Sequence, residues 1–231
     1  MRIHPKIGID MPKLQSPFVR KEINGKYVCI PEINKGYEWV FSKESIAVEK
    51  LDGTNISIVI KDGKITAIYN RKNLLQWWDK PYITEGILEA KSKKYFSLSH
   101  EGQFFGELIG PKLQGNPYKL EKHIWIPFSY AMKRLRYKFW EKFIEELENK
   151  TDREIYEKVS DLFKGLWSLF KRKEKQKFKE GREDENTAFE GMAAEGIVFY
   201  RKNTFPVQMA KLRRDMFEWF KGKDHNKKAF K

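Results

Sequence analysis

The sequence predicts an α+β fold, with antiparallel β-sheets, flanking helices and a helical insertion near residues 133–170. Three observations support this fold class. Runs rich in β-branched residues fill the first half of the chain, helical apolar spacing begins near residue 133, and strand character returns at 195–200 (EGIVFY). The 231 residues are enough to bury a sizeable core. We therefore expect one domain over residues 1–231, with a helical insertion over about 133–186.

The first half of the chain contains most of the strand signals. Residues 55–60 (NISIVI) and 65–70 (ITAIYN) flank the tetrapeptide KDGK, and Asp-Gly between β-branched runs predicts a hairpin. Residues 103–109 (QFFGELI) predict a further strand. The apolar stretch 124–132 (IWIPFSYAM) predicts another, in which Pro127 argues against a central place in a sheet.

The second half contains the helix signals. Apolar residues at helical spacing from Phe139 to Leu147 predict one helix. Thr151, with Glu154 three residues later, forms a capping-box pattern and predicts that a second helix begins there. The charged segment 171–186 predicts an exposed loop or a frayed helix end, and residues 214–221 predict a short helix.

The charge of the chain indicates a polyanionic partner. Lys and Arg total 46 against 32 Asp and Glu, giving a formal charge of +14. Such an excess attracts polyanions through Coulomb steering and counterion release, so nucleic acid is the leading candidate. Basic side chains are concentrated in residues 171–182, where we expect a nucleic-acid contact by Lys171, Arg172, Lys173 and Lys175.

Other features exclude several classes of protein. No apolar run reaches the roughly 18 residues of a membrane span, and the N-terminus lacks the apolar region of a secretory signal. Cys29 is the single cysteine, so no intramolecular disulfide can form and a cytoplasmic, reduced location is expected. The four histidines show no metal-ligand spacing, which argues against a zinc site.

Five short motifs follow one another along the chain. The first contains Lys50, which precedes an Asp-Gly turn that would present its amine at the mouth of a pocket. Alone, this pattern is weak, because Lys, Asp and Gly are all common at turns. The five motifs in order are EKLDGTN (49–55), NRKN (70–73), FGELIGP (105–111), EGIV (195–198) and KLR (211–213).

In this order the motifs resemble motifs I, Ia, III, IV and V of the covalent nucleotidyltransferases, which include ATP-dependent ligases and mRNA capping enzymes. The similarity is greatest to the RNA ligase 2-like branch, because the first motif continues as Gly-Thr-Asn and Gln114 follows the third. The resemblance spans residues 39–217. It implies an ATP-grasp-like ligase adenylation domain, and no C-terminal domain of the kind that similar ligases append is evident. We therefore expect this chain to self-adenylate, whereas efficient sealing of strands by this chain alone is not expected to the same degree.

The resemblance also implies an ATP-dependent RNA ligase reaction. Lys50 would attack the α-phosphate of ATP to give lysyl-AMP, and the AMP would pass to a 5′-phosphate end that is joined to a 3′-OH. Glu195 and Lys211 would be catalytic together with Lys50. Mg²⁺, with Mn²⁺ as a substitute, would bind Glu195 and Glu107 directly or through water. RNA is the expected partner, and DNA remains open.

By the same resemblance, ATP would be bound by side chains from four of the five motifs and one strand. The adenine would stack on Phe128, with Tyr130 as the reserve. Arg213 departs from the second lysine that similar ligases have in the fifth motif, which keeps the charge but changes the geometry. The ATP-binding residues implied are Glu49, Asn55, Arg71, Glu107, Phe128, Lys211 and Arg213.

Two alternatives remain open from the sequence. The first is a DNA ligase or capping-type nucleotidyltransferase, against which the Gly-Thr-Asn continuation and the FGELIGP segment favour an RNA ligase. The second is a catalytically inactive nucleic-acid-binding module, which the basic segment would suit. The presence of Lys50, Glu107, Glu195 and Lys211 argues against it, because an inactive site has no physical need for all four.

Overall fold

A computed structural model describes residues 9–11, 13–76, 78–170, 192–205 and 207–221. Its strands are β1 (Phe18–Ile23), β2 (Lys26–Ile33), β3 (Ser45–Lys50), β4 (Thr54–Lys61), β5 (Lys64–Asn70), β6 (Asn73–Leu75), β7 (Gly102–Ile109), β8 (Ile124–Pro127), β9 (Gly196–Arg201) and β10 (Met209–Arg213). Its helices are α1 (Pro81–Ser92), α2 (Phe128–Arg134), α3 (Phe139–Glu145) and α4 (Asp152–Lys164), with 3-10 turns at Glu38–Phe41 and Arg214–Met216. These antiparallel sheets and helices confirm the α+β prediction.

The chain divides into two compact units. The first unit contains residues 1–13 and 51–134, and the second contains residues 14–50 and 135–231. The single domain over 1–231 with its insertion therefore stays a prediction. Residues 171–186, for which the sequence predicts an exposed segment, lie outside the described residues.

The first unit is built on a five-stranded antiparallel sheet in the order β6-β5-β4-β7-β8. The predicted hairpin is confirmed as β4 and β5, and both residues of its turn, Asp62 and Gly63, have left-handed φ angles of 50° and 68°. This conformation is the one that tight hairpins require and that Asp-Gly adopts readily. The strand predicted at 103–109 is confirmed as β7, which pairs with β4 and β8.

The strand predicted over 124–132 is correct only as far as Pro127, where β8 ends at the edge of the sheet. Residues 128–134 form α2 instead. Proline has no N–H to continue the strand ladder, and the following SYAMKR contains good helix formers. The prediction was wrong there because a short apolar run does not distinguish a strand from a buried helix.

The second unit combines the β1-β2 hairpin, a three-stranded sheet in the order β10-β9-β3, and helices α3 and α4. Both predicted helices are confirmed. Thr151 caps α4, because its hydroxyl accepts from the Glu154 N–H while the Glu154 carboxylate accepts from the Thr151 N–H. The core of this unit combines aliphatic and aromatic side chains, and the aromatic ones include Phe18, Trp140, Phe163, Phe199 and Phe217.

The end of the second unit is less helical than predicted. The helix expected over 214–221 is reduced to a 3-10 turn, Arg214–Met216. The backbone N–H of Arg214 donates to the carbonyl of Glu195, outside the turn, at 2.9 Å, and Phe217 N–H donates to the Arg214 carbonyl at 3.2 Å. Met216 and Phe217 are then buried in the core, so packing stops the helix after one turn.

Candidate active site

The three-stranded sheet of the second unit aligns three of the predicted site residues. Lys50 on β3 and Arg213 on β10 both pair with Gly196 on the central strand β9, and Lys211 pairs with Val198. Paired residues in antiparallel strands lie on the same face, as do residues two apart on one strand. The sheet therefore brings the side chains of Lys50, Lys211 and Arg213 to one face.

Gly196 makes the close approach of these strands possible. A Cβ atom at this position would lie 2.1 Å from the Leu212 carbonyl oxygen and 2.7 Å from the Arg213 Cα. Both contacts involve backbone, which cannot move aside as a flexible side chain could. The glycine of the EGIV motif thus lets β10 approach β9 closely at Arg213, while β3 carries Lys50 on the other side of β9.

Lys50 and Glu195 form the closest charged pair of this face. The Lys50 Nζ atom lies 2.6 Å from Oε2 of Glu195, and the two side chains are 22% and 9% exposed. Arg213 approaches the other oxygen of Glu195, with Nη1 at 3.7 Å from Oε1. A buried carboxylate needs such partners, because its charge is costly to remove from water without them. The structure thus brings Lys50, Glu195 and Arg213 together within one unit.

Asp215 also belongs to this cluster and was missed from the sequence. Its Oδ2 atom lies 3.0 Å from Nη2 of Arg213. The only signal in the sequence is an acidic residue two positions after the KLR motif, which is too common a pattern to identify a partner.

Glu49 precedes the nucleophile candidate but lies in the interior of the second unit. Its side chain is buried, its Oε1 atom accepts from the Ser168 hydroxyl at 2.5 Å, and its Oε2 atom accepts from the Phe170 N–H at 2.8 Å. Successive residues of a strand point to opposite faces, which separates Glu49 from the side chain of Lys50. Its predicted role in ATP binding stays a prediction.

In the first unit, β4 and β7 bring Asn55 and Glu107 opposite each other. The Oδ1 atom of Asn55 is buried and has no hydrogen-bond partner among the described residues. Gly53 packs closely against β7, since a Cβ atom at this position would lie 2.2 Å from the Leu108 carbonyl oxygen and 3.0 Å from Glu107 Cγ. Gln114 donates to the Gly53 carbonyl at 3.3 Å, which connects the first motif to the residue after the third. The unsatisfied oxygen of Asn55 fits a polar ligand.

The other predicted ATP-binding residues of the first unit have distinct surroundings. Arg71 lies in the turn between β5 and β6 with a left-handed φ of 56°, and its Nε atom is 3.2 Å from Oδ2 of Asp10. Phe128 is the first residue of α2 and is half-buried. Tyr130 stacks on Tyr95 with ring centroids 4.0 Å apart, so one face of its ring is already covered. This contact favours Phe128 over Tyr130 for stacking on a base.

Glu195 and Glu107, the predicted metal ligands, lie in different units. Within the described residues, no group of three or more His, Cys, Asp and Glu side chains is arranged to hold a metal ion. Mg²⁺ typically takes one or two carboxylates and completes its shell with water and substrate phosphates. A single carboxylate such as Glu195 therefore fits a metal ion that arrives with a nucleotide. The predicted nucleic-acid contacts Lys171, Arg172, Lys173 and Lys175 lie outside the described residues.

A lysine paired with a glutamate on a sheet, beside a strand that carries two further cations, is consistent with the class of covalent nucleotidyltransferases. Residues 43–221 match the family model described as RNA ligase, so the chain belongs to the RNA ligase family. A comparison with curated proteins found none that matches. In the described residues no helix has the length and apolar character needed to cross a membrane.

Solved structures of an RNA ligase from Naegleria gruberi share the fold. One mutant in its apo form gives a TM-score of 0.52 at 15% identity, over 91% of this chain and 57% of that chain. A second apo mutant gives 0.50 at 16% identity, over 90% and 56%. A third, with AMP and Mn, gives 0.50 at 14% identity, over 90% and 56%. The likeness confirms the predicted adenylation fold, and the chain spans a little over half the length of these relatives.

Proposed function

We propose that the chain is an ATP-dependent RNA ligase that forms a lysyl-AMP intermediate on Lys50. The observation that carries this proposal is the Lys50 Nζ–Glu195 Oε2 pair at 2.6 Å, on the same sheet as Lys211 and Arg213. Membership of the RNA ligase family supports it, as do the Naegleria structures solved with ATP and Mn or with AMP and Mn.

The chemistry requires a neutral lysine amine. An unperturbed lysine has a pKa near 10.4, so only about one in 2,500 would be neutral at pH 7. Glu195 Oε2 lies within proton-transfer distance of the Lys50 amine. Attack by Nζ forms a bond to the α-phosphorus of ATP, and the bridging bond to the β-phosphate breaks, so pyrophosphate leaves with the bonding electrons. Lys211 and Arg213 supply positive charge that offsets the charge on the phosphate oxygens.

Mg²⁺, or Mn²⁺ in its place, would be held by Glu195, with Glu107 as the second predicted ligand, directly or through water. Such a metal ion supplies charge neutralisation and orientation for the phosphates when it is bound. ATP contacts by Glu49, Asn55, Arg71, Glu107, Phe128, Lys211 and Arg213 belong to this proposal by family resemblance.

RNA ends are the proposed substrates of the later steps. AMP passes from Lys50 to a 5′-phosphate, and the amine is released. A 3′-OH then attacks that 5′-phosphorus, which forms the new phosphodiester and releases AMP. DNA ends are the alternative substrate, and the cytoplasmic location stays a prediction of the sequence.

The test is incubation of the protein with α-labelled ATP, GTP or dATP and Mg²⁺, followed by denaturing electrophoresis. We expect label on the wild type with ATP. Lys50→Ala should remove it, and so should Lys50→Arg, which keeps a cation beside Glu195 but lacks a lysine amine. Lys43→Ala is the matched control, because Lys43 is an exposed lysine of the same unit that pairs with Glu148.

Each alternative gives a different result in this assay. Labelling by GTP in preference to ATP would indicate a capping-type enzyme. A folded wild type that binds RNA but takes no label would indicate the inactive binding module. Sealing of preadenylated RNA and DNA strands by the labelled protein then distinguishes an RNA ligase from a DNA ligase.

A further inference from the structure

Arg213 lies between two carboxylates at unequal distances. Its Nη2 atom is 3.0 Å from Oδ2 of Asp215, which is within hydrogen-bond range, whereas its Nη1 atom is 3.7 Å from Oε1 of Glu195, which is beyond it. Glu195 meanwhile lies 2.6 Å from Lys50. The four side chains alternate in charge, and Asp215 holds the guanidinium more closely than Glu195 does.

The backbone around Asp215 is fixed by its neighbours. Arg214 donates its N–H to the Glu195 carbonyl at 2.9 Å and its Nε–H to the Phe163 carbonyl at 3.1 Å. Met216 is buried in the core directly after Asp215. The Asp215 carboxylate therefore has a defined place from which to hold Arg213.

Two unsatisfied atoms belong to the same pair. Nε of Arg213 and Oδ1 of Asp215 are both buried without a hydrogen-bond partner among the described residues. One is a donor and the other an acceptor, so the two side chains can form the parallel, two-bond arrangement typical of arginine and carboxylate. A lysine has a single ammonium and cannot do this, which gives a physical reason for arginine where similar ligases have a second lysine.

We infer that Asp215 is a positioning residue for adenylation, acting through Arg213. It holds the guanidinium short of a direct bond with Glu195, so that Glu195 stays with Lys50 while Arg213 faces the phosphates. Without the Asp215 charge, Arg213 closes on Glu195 and competes with Lys50 for it. The inference rests on the proposed function, because it assigns a role within the same site.

This role separates catalysis from ATP binding. Asp215→Asn keeps the size of the side chain but removes its charge, and we expect the rate of adenylation to fall about 10-fold as Arg213 shifts. Ground-state binding of ATP should weaken much less than the rate falls, because Arg213 loses its place facing the phosphates but a negative charge has also been removed near a polyanion. Asp215→Glu keeps the charge and should recover most of the rate, to within about 3-fold of the wild type. A purely structural role would lower rate and affinity together.

The experiment uses the full chain as wild type, Asp215→Asn, Asp215→Glu, Arg213→Ala and the Arg213→Ala/Asp215→Asn double variant. Single-turnover labelling with α-labelled ATP gives the rate, and calorimetric titration with α,β-methylene-ATP, which cannot lose pyrophosphate, gives the affinity. In the Arg213→Ala background, Asp215→Asn should change the rate by less than about 2-fold, because its partner is gone. Asp161→Asn is the matched control, since Asp161 pairs with Lys164 on the exposed side of α4.

The outcomes separate this inference from the proposed function. A wild-type protein that takes no label from α-labelled ATP would overturn both the proposed function and the role of Asp215. A wild type that labels, with a 10-fold loss from Asp215→Asn in both backgrounds, overturns only the role of Asp215 through Arg213. Analogue affinity that falls in parallel with the rate overturns it as well, and so does an Asp215→Glu variant as slow as Asp215→Asn.

Discussion

At the scale of single residues, the two aromatic candidates for adenine stacking differ in what already covers them. Tyr130 stacks on Tyr95, whereas Phe128 begins α2 and is half-buried. A base needs an open π-face, and a hydroxyl adds nothing to that contact. Tyr95 already covers one face of the Tyr130 ring, so Phe128 stays the first candidate for the adenine.

We expect Phe128→Ala to raise the KM for ATP in self-adenylation about 10-fold, because base–aromatic stacking is worth roughly 1–3 kcal/mol. Phe128→Tyr should leave KM nearly unchanged, and Tyr130→Ala serves as the matched control. The measurement is the ATP dependence of labelling. A rise in KM with Tyr130→Ala and none with Phe128→Ala would show that the adenine stacks on Tyr130 instead.

Burial lowers the reactivity of the Cys29 thiol. Burial raises the pKa of the Cys29 thiol to about 11, and its side chain is 2% exposed. The thiolate is the reactive form, and only about one thiol in a thousand is ionised three units below its pKa. The folded protein should therefore resist alkylation near neutral pH.

We expect iodoacetamide at pH 8 to leave native Cys29 unmodified and to modify it in urea, as measured by mass spectrometry. Since the folded-state pKa lies above the unfolded one, the stabilisation is complete below the unfolded pKa and is lost as pH rises toward 11. Cys29→Ala should lack this part of the pH dependence. Rapid alkylation of a sample that still self-adenylates would contradict the burial of the thiol.

At the scale of elements, the sequence predicted the turns and helix starts whose stabilising interactions join residues close together in the chain. The Asp-Gly hairpin of β4 and β5 and the capped start of α4 were both predicted, because turn and cap chemistry lie within a few residues. The pairing of β3 with β9 joins residues about 150 positions apart, and no local pattern encodes its register. The motifs indicated Lys50 and Glu195, but their 2.6 Å contact depends on that register. The place of Arg213, and of Asp215 beside it, depends on the separate pairing of β10 with β9.

Other elements show where single-sequence reasoning stops. The sequence does not predict helix α1 or the β1-β2 hairpin, and it predicts a strand where most of α2 lies. The hydrogen bonds of the Glu49 carboxylate with Ser168 and Phe170 were not predicted either, and its role in ATP binding stays a prediction. These features are decided by tertiary packing, which overrides short patterns.

The cap of α4 offers a test at this scale. Thr151→Ala removes the side-chain oxygen that accepts from the Glu154 N–H, and we expect a loss of about 1 kcal/mol in the free energy of unfolding. Thr151→Ser keeps the oxygen and should retain most of the stability. Urea unfolding measures both, while self-adenylation at low temperature should be unchanged. Equal stabilities for the alanine and serine variants would show that the cap contributes nothing.

At the scale of the whole molecule, the formal charge of +14 should act on RNA through many weak phosphate contacts. The densest basic segment of the sequence, residues 171–182, lies outside the described residues, and its composition alone indicates contact with phosphates. Basic side chains on α3, on α4 and in the loops beside them provide a comparison set of equal charge. Replacing either set lowers the net charge by the same amount. A difference in RNA binding between the two variants would therefore show that the position of the basic residues matters, and not only the total charge.

We expect replacement of six segment residues by Ser (Lys171, Arg172, Lys173, Lys175, Lys177 and Lys179) to weaken RNA binding and flatten its salt dependence. Each lost phosphate contact should lower the slope by about 0.7 for a single strand.

The charge-matched control replaces Lys138, Lys142, Lys150, Arg153, Lys158 and Lys164, and should keep a steeper slope. Fluorescence anisotropy at several salt concentrations measures binding, beside labelling with ATP, which should persist in both variants because no motif residue is changed. Equal slopes for the two variants would show that RNA responds to net charge alone, and loss of labelling in a folded segment variant would place residues 171–179 in the adenylation site.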